Sequence, residues 1–178
     1  MIFVQVPNVK GGATMEPYMG KGCFAVNSFS FNVEREVSDT DKAGTNDVNL
    51  GVVEMQEISM GKNMDRASMA LARAAISGDT VGCVEVFFVQ TFGQKNVCYM
   101  HFKLDNSYIK SWTCSGDGDD RPTEDFTIWY NKMGFVYFQA KPKNDGGTEF
   151  VFTADCAWDV SAGKKWEGAK LESKADGS

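Results

Sequence analysis

The chain has a single histidine, four prolines, no CxxC pair, no excess of basic charge and no long apolar run. Each scarcity removes a class of function. His101 lies mid-strand with no cysteine or carboxylate at ligand spacing, which argues against a typical zinc site and against a Ser-His-Asp triad. It reads as a half-exposed strand residue. Cys23, Cys83, Cys98, Cys114 and Cys156 are scattered, which fits a reducing compartment better than a disulfide framework. Most of them fall inside expected strands, where a thiol acts as a small apolar filler. A formal net charge of -6 argues against nucleic acid, whose phosphates reward a basic face. No stretch is apolar for the length a bilayer demands. The start, MIFVQVPNVK, has no basic region leading into an apolar core, so no Sec signal peptide is expected. Glycines occur in pairs, without a phosphate-cradling motif after a strand. The acidic residues Asp117, Asp119, Asp120, Glu124 and Asp125 lack the ligand pattern of an EF-hand. They read as solvated loop carboxylates, and nothing selects two of them for glycoside hydrolysis. No catalytic residue, metal or cofactor is expected.

What is present points to β-structure. Thirteen Phe, five Tyr and four Trp in 178 residues suit a pleated surface, and this length is one domain by prior. Met1 to Val6 alternates as a first strand, and Pro7 to Gly20 is broken by turn residues. Gly22 to Val33 reads as the next strand, with Cys23, Ala25, Phe29, Phe31 and Val33 on one parity and Asn27 marking a bulge. Glu34 to Asn49 is polar, without a helical stripe, and long for a connection inside a compact domain. Two readings stand there, a mobile surface loop and an arm that docks on a neighbouring subunit. Val48 to Met60 resumes as a strand. A helix follows from an N-cap at Asp65 to a C′ residue at Gly78, with Ala67, Leu71 and Ala74 on its inner face. Arg66 and Arg73 fall away from that face, solvated or at an interface. Gly82–Thr91 and Val97–Leu104 make a hairpin, and the second arm continues past Asp105-Asn106 with its register shifted. Phe126–Ala140 and Phe150–Val160 make another hairpin across Asn144-Asp145-Gly146-Gly147. Residues 161–178 read as a short, poorly ordered polar tail in which Trp166 is the one candidate anchor.

The order of these parts resembles the Hcp family, the haemolysin-coregulated tube proteins of the bacterial type VI secretion system. Phe29 and Phe31 of NSFSFNV look like that family's SFSF-type strand. The polar loop, a second strand and the Asp-initiated helix follow in the family's order, and FKLDNSYIKSW is similar to its K-L-x-(D/N)-x-x-I-x-S phrase. RPTEDFTIWYNKMGFVY looks like the family's P-T-E strand, and AWDV at Ala157 to Val160 like its last strand. The likeness runs from about Cys23 to Val160. The five cysteines, the segment Pro7 to Gly20 and the tail after Gly163 depart from it.

The resemblance implies a mostly β fold, a two-sheet flattened β-barrel or sandwich over residues 1–160 with one flanking α-helix. It implies hexameric rings that stack into a tube, partners in the sheath, the spike and effector proteins, and export from the bacterial cytoplasm without a Sec signal. It favours the docking-arm reading, with Asp41, Lys42, Thr45, Asn46 and Asp47 as subunit-interface residues. Two other readings compete. One is a monomeric carbohydrate- or adhesin-type binding module using Trp112 and Trp129 as an aromatic platform. The other is a hydrolase using Asp119 and Glu124.

Overall fold

The computed structural model describes residues 1–39, 48–92, 95–143, 148–167, 169 and 171. Two long strands, β8 (Lys95–Ser115) and β9 (Thr123–Pro142), form its spine. They pair with each other from Met100↔Tyr137 to Ser115↔Thr123. Strands of this length twist out of one plane, so each serves two layers. The start of β9 pairs with β6 (Ile58–Asn63), and its end pairs with β10 (Thr148–Asp159). On the other side β8 pairs with β7 (Thr80–Phe92), β7 with β1 (Ile2–Gln5), and β1 with β2 (Phe24–Val26). A short β3 (Ser28–Ser30) pairs with β6. All of these ladders are antiparallel.

The turn between layers has identifiable causes. Asn106 takes a positive φ of 52, which Asn tolerates better than most residues. Phe102 and Leu104 face the core before it, Ser107 and Ile109 after it. Against β7 the register shifts there, from Val84↔Leu104 to Gly82↔Ser107, as expected past Asp105-Asn106. The second corner corrects an expectation. Gly22 to Val33 is not one strand, because the backbone N–H of Asn27 bonds Gly61 O at 2.8 Å and the chain changes partner there. Phe24 and Val26 are therefore buried and Ala25 is exposed, opposite to the expected parity. Since β2 and β3 do not pair with each other, the result is a sandwich open at that corner. Phe24 meets Phe126 across it at 6.1 Å, and Phe29 meets Phe88 and Phe102, each at 5.0 Å.

Helix α1 (Ser68–Ser77) flanks the core with Ala67 and Leu71 fully buried. Its end is as expected, since Gly78 at φ 69 donates to Ala74 O at 3.1 Å. Its start lies later than expected. Ala67 occupies the N-cap position without a side-chain cap, and Asp65 instead accepts the Ala67 N–H at 2.8 Å. The Asp65 carboxylate is shared with Lys62 at 2.7 Å, which holds it one turn early. Lys62 in turn meets Glu124, its cross-strand partner, at 2.5 Å. Ser68 Oγ and Trp112 Nε1 donate to the two oxygens of Glu124 at 3.0 and 2.9 Å. This buried cluster fastens the helix to the β6–β9 ladder.

Two segments cover the outer face of the β1–β7–β8–β9–β10 layer. Residues 7–22 lie across it as a strap. Tyr18 stacks on Phe3 at 4.6 Å, and Cys23, Phe87, Val89 and Cys98 complete a second apolar cluster. After Asp159 the short β11 (Lys164–Lys165) pairs with β10, Trp166 N–H donates to Ala157 O at 3.1 Å, and Leu171 packs on Val97, Val136 and Phe138. Lys132 lies 5.9 Å from the Trp166 ring, so that tryptophan does touch the body of the protein.

Removing one partner of a buried ion pair strands the other. Lys62→Met is expected to cost about 3–5 kcal/mol in urea unfolding. Adding Glu124→Gln, which removes the stranded charge, keeps one acceptor oxygen for the Trp112 N–H and offers its amide N–H to the Ser68 hydroxyl, should recover more than half; no recovery would refute the ion-pair account.

Candidate functional site

The polar segment expected to be a loop is largely a ribbon. β4 (Val33–Asp39) and β5 (Val48–Met55) pair antiparallel from Val33↔Met55 to Asp39↔Val48, with a register shift between Arg35 and Val37. The two form a sheet of their own beside the nine-stranded one. VEREVSD is polar, yet its valines lie at an even spacing that a ladder accepts. The expected single strand Val48 to Met60 is broken after Met55, where Tyr130 OH bonds Gln56 O at 2.9 Å and β6 begins. Asp41, Lys42, Thr45, Asn46 and Asp47 fall between the two arms of the ribbon, outside the described residues.

A second surface was not anticipated. On the outer face of the β3–β6–β9–β8 layer, Ser30 pairs with Ser59, Ser59 with Thr127, and Thr127 with Ser111. The last two hydroxyls are 2.6 Å apart. The adjacent row runs Ser28, Gly61, Asp125, Thr113. A Cβ at Gly61 would stand 2.6 Å from Asp125 Oδ1 and 2.7 Å from Ser28 Oγ, so a larger residue there would push both side chains aside. The result is a shallow hydroxyl-lined groove of about 200 Å³. Its signal in the sequence was the parity left unread. Phe29, Met60 and Phe126 mark the core side, and the residues alternating with them are nearly all small and polar.

The other candidates separate. Glu124 is buried in β9 against Lys62 and is not a loop carboxylate. Asp117 folds back to accept the N–H groups of Asp119 and Asp120, each at 3.2 Å. Among the described residues no three His, Cys, Asp or Glu side chains converge as a metal site. Trp112 lies on the core side beside Phe126 and Trp129 on the opposite, exposed side, so they form no shared platform. Cys114 lies in β8, exposed, with its Sγ 3.9 Å from Met64 Sδ. Burial pushes the Cys23 thiol up to about 11, so it is an inert filler.

His101 is buried, not half-exposed. It stacks on Phe87 at 4.6 Å under the strap, a cover that no local pattern around residues 7–22 announces. Its Nε2 is 3.7 Å from Glu85 Oε2, longer than a well-formed hydrogen bond. The His101 imidazole chiefly, then Lys103 and Lys21, holds the Glu85 carboxyl below the usual carboxylate range against the opposing effect of burial.

Comparison with known proteins places this geometry. A family described as type VI secretion system effector, Hcp, matches residues 3–137. The chain belongs to the Hcp family. That family is one of structural tube proteins of type VI secretion and not of enzymes. A solved type six secretion system protein shares the fold at TM-score 0.78 and 25% identity, over 93% of this chain and 98% of that one. Hcp1 from Salmonella typhimurium aligns at TM-score 0.67 and 19% identity, over 93% and 97% of the two chains. A type VI secretion system effector from Yersinia pestis aligns at TM-score 0.62 and 15% identity, over 90% and 100%. No curated protein matches in sequence. The Hcp match therefore agrees with the mostly β fold and single helix expected from the order of segments.

Glu85 generates a pH prediction. Its folded pKa lies below the unfolded value of about 4.3. Ionised Glu85 thus stabilises the fold above that value, and the contribution is lost as pH falls through the depressed folded value. Glu85→Gln should flatten the loss of urea stability between about pH 5 and pH 3. An unchanged slope would show that Glu85 carries none of it.

Proposed function

We propose that this chain is the ring subunit of a type VI secretion tube. Six copies close into a ring, rings stack, and the channel carries effector proteins. The observation that carries the reading is the β4–β5 ribbon, a two-stranded ladder with its own pairing outside the main sheet, in a chain of the Hcp family. A ribbon of this kind spends the backbone hydrogen bonds of its two arms on each other. Heterologous contacts of one patch on a different patch close rings when the rotation allows. Asp41, Lys42, Thr45, Asn46 and Asp47, which follow one arm in the chain and precede the other, are the proposed contacts, through polar pairing across the interface.

The hydroxyl face is the proposed channel wall. Serine and threonine offer donors and acceptors without net charge, so a passing protein finds hydrogen bonds with no deep pocket to hold it. A net charge of -6 disfavours nucleic acid as cargo. Sheath and spike components of the same apparatus are the proposed further partners. Synthesis in the cytoplasm and export through that apparatus complete the reading; among the described residues no helix is long and apolar enough to cross a membrane.

The test is the mass in solution by light scattering, with negative-stain images of the same fraction. A hexameric mass with ring-shaped particles is expected, and a clean monomer at high concentration would count against the reading. Deleting Thr40 to Asp47 should leave the domain folded and abolish ring closure or stacking, whereas intact tubes would refute the arm. Ser59→Arg should leave rings intact and lower the effector retained by rings purified from the native host. Unchanged retention would remove the hydroxyl face from the channel.

A further inference from the structure

The solvent side of α1 is not built as a solvated face. Met69, Arg73 and Ile76 recur at i, i+4 and i+7, and Arg66 stands one turn earlier in the lead-in. At about 100° per residue Met69, Arg73 and Ile76 share one stripe, opposite to Leu71 and Ala74, and Arg66 leads into it from the turn before the helix, its stem beside Gly12 of the strap. Met69 is 58% exposed and Ile76 88%. Both arginines are exposed, and neither has an ion-pair partner among the described residues. The helix itself contains no carboxylate, and the nearest one before it, Asp65, is taken by Lys62.

Stability does not account for this arrangement. An exposed helix face gains from Glu and Lys at i, i+4 spacing, and a β-branched Ile in solvent contributes less to helix formation than Ala. Arginine and methionine, by contrast, are enriched where proteins meet. Two unpaired positive charges framing apolar side chains, on a chain of net charge -6, describe the complement they need.

We propose that this stripe docks an amphipathic helix of another protein, acidic along its edges and aliphatic between them. Arg66 and Arg73 are seven residues apart, about 10 Å along the axis. A partner helix with carboxylates at i and i+7 and a leucine or isoleucine between them matches that spacing. The Met69–Arg73 ridge then packs in its groove. An anionic membrane is a poorer fit, since surface attraction of that kind rests on clusters of about four to eight basic residues. The stripe uses no residue of the ribbon or of the hydroxyl face, so it stands apart from the ring reading.

The test uses the full chain and two fluorescein-labelled helical peptides, one with Glu at i and i+7 around leucines, the other with Lys at those positions. Fluorescence anisotropy at low salt should show binding of the Glu peptide, weakening as salt rises, and little binding of the Lys peptide. Arg66→Glu/Arg73→Glu should invert that preference, by about tenfold in each direction. Met69→Ser/Ile76→Ser should weaken Glu-peptide binding about fivefold with the melting temperature unchanged. The proposal is overturned if the wild type ignores the Glu peptide, or if the reversed variant binds both peptides as the wild type does. It is equally overturned if that variant alone changes the particle mass, which would make the stripe a contact between copies. Binding of phosphatidylserine-containing vesicles in preference to either peptide would overturn it in favour of a lipid surface.

Discussion

An ammonium group with almost no access to water holds this fold in register. Lys62 lies between Glu124 and Asp65, close to the Phe24 ring, with Ser68 and Trp112 completing the shell. Charges taken from water are costly unless every lone pair and proton finds a partner. Here one carboxylate oxygen receives Ser68 and Lys62 and the other receives Trp112. The consequence reaches beyond the cluster itself. Side chains alternate along a strand, so a slip of one residue between β6 and β9 would turn each inward residue outward. A Lys–Glu pair that tolerates only one register therefore also places Ser59 beside Thr127 and Gly61 beside Asp125 on the outer face. The hydroxyl surface is positioned by an interaction on the opposite side of the sheet.

The two outer faces of the sandwich have different fates. The β1–β7–β8–β9–β10 side carries apolar residues such as Phe3, Phe87, Val136 and Phe138, and the chain covers them with its own strap and with Leu171. The β3–β6–β9–β8 side carries small polar residues and no described segment packs over it. A face that needs cover for stability is occupied from within, and a face that is comfortable in water is left open. The open face is the one available to another molecule.

The spine was legible because its signals are local. Strands β8, β9 and β10 follow from alternation and from the turn residues between them, and Gly78 announces the helix end. Asn27 was recognisable as a disturbance, but not as the residue at which the chain changes partner, because that depends on Gly61 more than thirty residues away. His101 and Glu124 were misread for the same reason. Each sits in an ordinary strand pattern, and its burial is decided by a distant element, the strap over His101 and Lys62 against Glu124. The hydroxyl rows were visible one strand at a time as a polar parity, yet the row exists only when four strands are laid side by side. The proposal of Asp41, Lys42, Thr45, Asn46 and Asp47 as assembly contacts stands on the family resemblance, since they lie outside the described residues.

Three of the described titratable groups are held away from proton exchange. Glu85 is kept ionised by His101, Lys103 and Lys21, and burial raises the Cys23 thiol and the Tyr130 hydroxyl away from the range where they would ionise. A catalytic group needs a pKa near the working pH and an open approach to its reacting atom. These groups are shifted away from that condition, and they sit under the strap or inside the sandwich. A tube subunit asks for the opposite of a reactive centre: a rigid body, a fixed register, and surfaces that meet other proteins repeatedly without being changed by them. The buried charges supply the rigidity, and the polar ribbon, the hydroxyl rows and the helix stripe are the surfaces proposed for contact.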